Sequence, residues 1–142
     1  NNLIVLYVQD KILGLRFDSG HEAIRDRDQR NRRFREFMAK RSPHQEWTSD
    51  PFLALMMYIQ LYEAFGPEPS EMVFAEYVKL PEAERPQSDD DKRDQWLIRL
   101  SRAVGKNLAP FFRAWGLPTR EQAQAAVSNL PDWMPKGFEP KK

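Results

Sequence analysis

The 142 residues are enough for one domain that buries roughly two thirds of the surface its unfolded chain would expose, and 41% hydrophobic with 12% aromatic residues excludes a disordered tail. Lys and Arg number 22 against 21 Asp and Glu, so the net charge of +1 gives no whole-chain attraction to nucleic acid, membrane surfaces or acidic partners, and no nucleic-acid partner is expected. The absence of cysteine excludes disulfides, thiolate zinc sites and thiol nucleophiles in any compartment.

The chain opens on Leu3-Ile4-Val5-Leu6-Tyr7-Val8, a run whose composition suits a buried strand. Ile12 and Leu13 continue an apolar face at helical spacing, and Gly14 stands where a C-terminal cap would end a helix, so the helical reading is preferred. The run is far shorter than the roughly 20 apolar residues of a membrane span, and no transmembrane segment is expected. The start also lacks an initiator Met, a basic lead and a small-residue cleavage site, and reads as a piece of a longer protein.

Residues 21 to 41 predict a mostly exposed helix with Ile24, Phe34, Phe37 and Met38 as its large apolar residues. Pro43 ends it, and Thr48-Ser49-Asp50-Pro51 predicts a new start, with an oxygen-bearing cap before a first-turn proline. Phe52, Leu55, Met56, Ile59 and Tyr62 then form one stripe while Leu53, Met57 and Leu61 make the other side apolar too, so this helix should be central. Gly66-Pro67 ends it, and Pro69-Ser70 opens a helix carrying Met72, Val73, Phe74, Tyr77, Val78 and Leu80. Residues 81 to 91 read as a polar, acidic loop, the one low-complexity feature of a chain without internal repeats.

The next helix turns Trp96, Leu97, Leu100 and Val104 inward and stops at Gly105, after which Asn107 caps a helix with Leu108, Phe111, Phe112 and Trp115 on one stripe. Thr119 and Gln122 have capping-box spacing for a last short helix reaching Val127, and Leu130 to Pro135 reads as extended. The expected fold is all-α: a single orthogonal bundle of six or seven helices over residues 1–142, with a flexible tail at 136–142.

A metallopeptidase helix needs two histidines one turn apart with a glutamate between them. His21-Glu22 begins that pattern, but Arg25 occupies the fourth position and His44 is remote, so both histidines are assigned surface or cap roles. Ser19, His21 and Asp18 stand too close in sequence for a triad, and the glycines are scattered singly as caps and turns instead of forming a phosphate loop. Residues 25 to 41 hold eight basic residues against three acidic, which reads as a solvated helix with i,i+4 ion pairs in preference to a phosphate-binding face. Trp47, Trp133 and Phe138 are assigned to the edges of the core rather than to carbohydrate contact.

Residues 99–118, RLSRAVGKNLAPFFRAWGLP, resemble a stretch near the end of the enhancin-like and mucin-degrading zinc metallopeptidases, peptidase family M-sixty. Its distinguishing residues are Gly105, Asn107, Leu108, Phe111, Phe112, Trp115, Gly116 and Pro118, a structural motif instead of a catalytic one. DPFLALMMYIQLYEAFG at 50–66 resembles that family's central helix, and NNLIVLYVQDKILG at 1–14 the helix just past its third zinc ligand. Aminopeptidases of the wider gluzincin group carry a looser form of the 105–115 pattern, and the same domain occurs in ion-channel-associated animal proteins that need not be active.

The resemblance implies the C-terminal helical subdomain of a gluzincin-type peptidase, whose HExxH helix and later Glu ligand lie upstream. It implies zinc in the intact protein and no cofactor held by this chain. The implied partners are the upstream zinc-binding subdomain and a glycoprotein substrate, and the implied location is secreted or cell-surface. No catalytic or metal-binding residue carries over, while Asn2 and Tyr7 fall where the family's first helix faces the cleft. The alternative implied reading is a non-catalytic helical interaction module.

Overall fold

In the computed structural model residues 2–138 are described, without the side chain of Asn2, and every regular element among them is helical. There are nine α-helices among the described residues, more and shorter than the expected six or seven. The chain divides into two compact units, Asn1–Ala64 and Phe65–Lys142.

In the first unit, α1 (Asn2–Tyr7) continues into a π-helical turn, Val8–Ile12. Gly14 follows at φ +62, the left-handed backbone that glycine adopts without steric cost. The expected helix over 21 to 41 is two helices, α2 (Glu22–Arg25) and α3 (Arg27–Ala39). The break lies at Asp26, whose extended backbone lets its carboxylate accept from the Gln29 N–H at 2.9 Å and cap α3. A further helix, α4 (His44–Ser49), precedes α5 (Pro51–Phe65). The cap of α5 is Asp50, which accepts from the N–H groups of Phe52 and Leu53 at 3.1 and 2.9 Å.

Leu6, Ile24, Leu55 and Ile59 form one buried cluster with Leu3, Phe17 and Phe52 against it, joining α1, α2 and α5. Each such large side chain contributes about 1.5–3 kcal/mol on burial. Helix α5 buries Leu53, Leu55, Met56, Met57, Ile59, Leu61 and Tyr62, as its all-round apolar surface predicts.

In the second unit, α6 (Glu68–Lys79) buries only Val73 and leaves Met72, Phe74 and Val78 exposed. The stretch read as loop to Asp91 contains a 3-10 turn, Glu82–Glu84, and then α7 (Asp89–Val104) begins. Ser88 caps α7 in a capping box with Asp91, and the three successive aspartates sit where the helix dipole favours negative charge. Gly105 at φ +66 ends α7, with Lys106 N–H returning to Ser101 O at 3.0 Å and Gly105 N–H to Arg102 O at 3.3 Å, a Schellman closure.

Helix α8 (Ala109–Ala114) ends the same way at Gly116, with Leu117 N–H on Phe112 O at 3.0 Å. Leu108, Phe111, Phe112 and Trp115 are all fully buried, joined by Leu97, Leu100 and Val127. The capping box expected from Thr119 and Gln122 does not form at α9 (Glu121–Ala125). Instead the buried Asp94 carboxylate reaches the Arg120 N–H at 2.9 Å, and the Gln124 amide binds back to Thr119 O at 2.9 Å. A long-range acceptor has displaced the local one. The tail expected at 136–142 is described only to Phe138, whose N–H reaches Pro135 O at 3.0 Å, and residues 139–142 lie outside the described residues.

Candidate functional site

The first element presents an apolar surface to solvent. On α1 only Leu6 is buried, while Ile4, Val5 and Tyr7 are 57%, 52% and 36% exposed, and Ile12, Leu13 and Leu15 just beyond are 67%, 59% and 52% exposed. Leu6 points one way and its helical neighbours point the other, so α1 is anchored on one face and uncovered on the opposite one. Tyr7 is on this uncovered side, whereas the Asn2 side chain lies outside the described residues.

Beside this surface lies a polar pocket of about 480 Å³, lined in part by Asp10, Arg16, Asp18, Arg30, Tyr62 and Glu63. Arg30 is 4% exposed and donates to Asp18 at 3.2 Å, to Glu63 at 2.5 Å and to the Ile24 carbonyl. Asp18 is 2% exposed; burial alone pushes its carboxyl up, but the hydrogen bonds and charges of Arg16 and Arg30 outweigh burial and hold it below the usual carboxylate range. Tyr62 donates to Asp10 at 2.5 Å and its ring meets Phe17 at 4.7 Å between centroids. This pocket ties the loop after α1 to α3 and α5. Sequence reasoning missed it, although Arg30 shares a stripe with the buried Phe34 and Phe37 at i, i+4 and i+7, where an arginine needs carboxylate partners.

The rest of the basic stretch is largely paired: Arg25 to Ser19 O, Arg27 to Glu63, Arg33 to Asp50 and Lys40 to Glu46. His21 caps α2, its Nδ1 accepting from Ala23 N–H at 3.1 Å while its ring stacks on Phe52 at 4.2 Å. Ser19 donates to Arg16 O, and Asp18 is held by arginines, so the two do not form a relay with His21. His44 stacks near Trp47 at 6.0 Å. No group of three His, Asp or Glu suited to a metal exists among the described residues, and with His21 engaged as a cap the residues present do not fit zinc.

The 105–118 motif lies in the second unit. Gly105 and Gly116 are helix caps, Leu108, Phe111, Phe112 and Trp115 are core, and Pro118 is exposed with its carbonyl accepting from Arg93 at 3.1 Å. Asn107 is the joint of the motif. Its Oδ1 accepts from Ala109 N–H at 3.0 Å, its Nδ2 donates to Asp132 at 2.8 Å, and its backbone bridges Pro131 O and Trp133 N–H at 2.9 and 3.1 Å. That bridge places the Trp133 ring between Phe65 and Phe111, at 4.9 and 5.0 Å.

A second polar concavity, about 660 Å³, lies between the 83–87 loop, α7 and the start of α9, with Arg85, Arg99, Arg102 and Arg120 in its wall.

The family described as peptidase M60, enhancin and enhancin-like, matches residues 1–116. TRPM8 channel-associated factor 2 of Homo sapiens and TRPM8 channel-associated factor 3 of Mus musculus are each 36% identical over 132 residues, a match covering 93% of this chain and 14% of theirs. A crystal structure described as a functionally unknown conserved protein from Bacillus anthracis str. Ames superimposes with a TM-score of 0.68 at 28% identity, over 93% of this chain and 26% of that one. The chain thus spans about a seventh of the curated relatives and about a quarter of the solved one.

Proposed function

From the premise that this chain belongs to the peptidase M60, enhancin and enhancin-like family, we propose that it is the helical supporting part of a zinc metallopeptidase acting on glycosylated, mucin-type proteins. The observation that carries this reading is the uncovered apolar face of α1 and the segment after it, Ile4, Val5, Ile12, Leu13 and Leu15. Contiguous exposed surface of this kind marks a docking site. Its occupant is the zinc-binding subdomain of the same protein, because the solved relative is nearly four times the length of the match. Tyr7, on that face, lines the substrate cleft beside it.

In this reading the catalytic zinc and the glutamate that activates its water belong to the upstream subdomain, and the present residues brace it. The Arg30 cluster holds the loop after α1 in place, which fixes the direction of the docking face. The intact protein acts outside the cell or at its surface.

The second reading is a non-catalytic interaction module, favoured by the 36% identity to proteins named as channel-associated factors. Zinc analysis and mass spectrometry of mucin-glycopeptide products, run on the full-length protein and on this chain, separate the two. Stoichiometric zinc and cleavage in the full-length protein alone support the peptidase. No zinc and no cleavage in either rejects it in favour of the interaction module.

A further inference from the structure

The apolar face of the first element depends on a departure from α-helical winding. In an uninterrupted α-helix Leu13 would follow Leu6 at i+7 and share its face, the anchored one. Yet Leu6 is 1% exposed and Leu13 59%. The difference arises in the turn between them, Val8–Ile12, where Leu13 N–H donates to Val8 O at 3.0 Å, five residues back instead of four. The wider winding holds Leu13 short of the Leu6 side and brings it out with Ile12 on the side of Ile4 and Val5. Turns of this type are rare and concentrate at functional sites.

Three contacts hold the turn. Leu15 N–H returns to Gln9 O at 2.8 Å. Tyr62 donates to Asp10 at 2.5 Å, and it shares a stripe of α5 with Leu55 and Ile59, the residues that receive Leu6. The first element is thus pinned to one stripe of α5 at Leu6 and again at Asp10.

The third contact pairs Gln9 with Gly20. A Cβ on Gly20 would stand 1.8 Å from Gln9 Nε2, although Gly20 has no left-handed backbone that would call for glycine. The missing side chain therefore makes room for the Gln9 amide. Gln9 Oε1 is buried with no hydrogen-bond partner among the described residues, so packing into that space is what places the amide.

We propose that Gln9, Asp10, Gly20 and Tyr62 are positioning residues for the docking face: they hold the wide turn, and the turn sets Ile12 and Leu13 beside Ile4 and Val5 to meet the zinc-binding subdomain. This role rests on the docking reading of that face given above. When the contacts are released, the segment rewinds towards α-helix, Leu13 turns to the Leu6 side and the face is broken.

The chain has no cysteine, so Leu13→Cys and Ile4→Cys each introduce a single reporter thiol. Maleimide labelling, read by peptide mass spectrometry, should be rapid at both. Adding Tyr62→Phe, which keeps the ring that packs on Phe17, or Gly20→Ala, which expels the Gln9 amide, should slow Leu13→Cys about tenfold and leave Ile4→Cys unchanged. Gln9→Ala should act as Gly20→Ala does, and the two together should slow labelling no further, since both remove one contact. A substitution that only loosened the fold would speed labelling at both positions, and that outcome, or an unchanged Leu13→Cys rate, overturns the role of the turn. In the full-length protein both thiols should be protected relative to this chain. Equal labelling there overturns the docking reading and this role with it, whereas protection there with unchanged rates in the variants overturns the role of the turn alone.

Discussion

Arg30 and Asp18 meet as an ion pair almost closed to solvent, with Nη1 to Oδ2 at 3.2 Å and side-chain exposures of 5% and 2%. A buried pair of this kind owes little to net Coulomb attraction, because desolvation of both charges offsets it. What it enforces is mutual dependence. Arg30→Met leaves Asp18 buried with the exposed Arg16 as its remaining cationic partner, and should destabilise the chain by about 1–3 kcal/mol. The double variant Arg30→Met with Asp18→Leu should recover much of that loss. Denaturant midpoints measure both, and a double variant no better than Arg30→Met would show that the pair does not act as a unit.

The same carboxyl sets an acid limit. Asp18 has a folded-state pKa lowered from its ordinary value, so the stability it contributes is fully present above the unfolded-state pKa of about 4 and is lost as pH falls through the lower folded value. Thermal melts between neutral pH and about pH 3 should fall less steeply for Asp18→Asn than for the parent, from a lower start.

Trp133 closes the second unit over Phe65 and Phe111. Losing two aromatic contacts, Trp133→Ala should cost about 1–3 kcal/mol, and Asp132→Ala, which strands Asn107 Nδ2, about 1 kcal/mol. If the two losses simply added in the double variant, the bridge and the ring would be acting independently; the shared backbone bridge at Asn107 predicts less than additive loss.

Gly105→Ala isolates backbone cost from sterics. A Cβ there meets nothing within 4 Å, yet φ is +66. The expected loss is about 1 kcal/mol, the cost of a left-handed alanine. A loss well beyond that in a denaturant titration would indicate crowding absent from this geometry.

Ile4→Glu and Ile12→Glu should leave folding intact while reducing self-association and binding of hydrophobic dyes, because both side chains are more than half exposed. Static light scattering and dye fluorescence read this, and a parent chain that is already a dye-negative monomer would count against the docking face.

What the sequence reveals is what is local. The all-round apolar α5 and the glycine stops at Gly105 and Gly116 follow from residues within a turn of one another. Ser88 with Asp91 was equally local, but a run of aspartates resembles a loop until the helix dipole is weighed. Asp94 capping α9 from 26 residues away, and Arg30 drawing on Asp18 and Glu63, depend on tertiary proximity that no window contains. The 105–118 motif is legible as caps and core, whereas the reach of Asn107 to Asp132 is not.

The bridge from Asn107 to the 131–133 segment also has a meaning for biosynthesis. Chains are made from the N-terminus and their domains tend to fold in that order. The buried cluster of the first unit draws on residues no later than Ile59, so it can consolidate while the remainder is still being translated. The second unit waits longer, because Asn107 and Phe111 need Asp132 and Trp133, the former 25 residues further along the chain. Until then its aromatic interior is open to chaperones, and a chain stalled before Asp132 would present Phe111 to quality control.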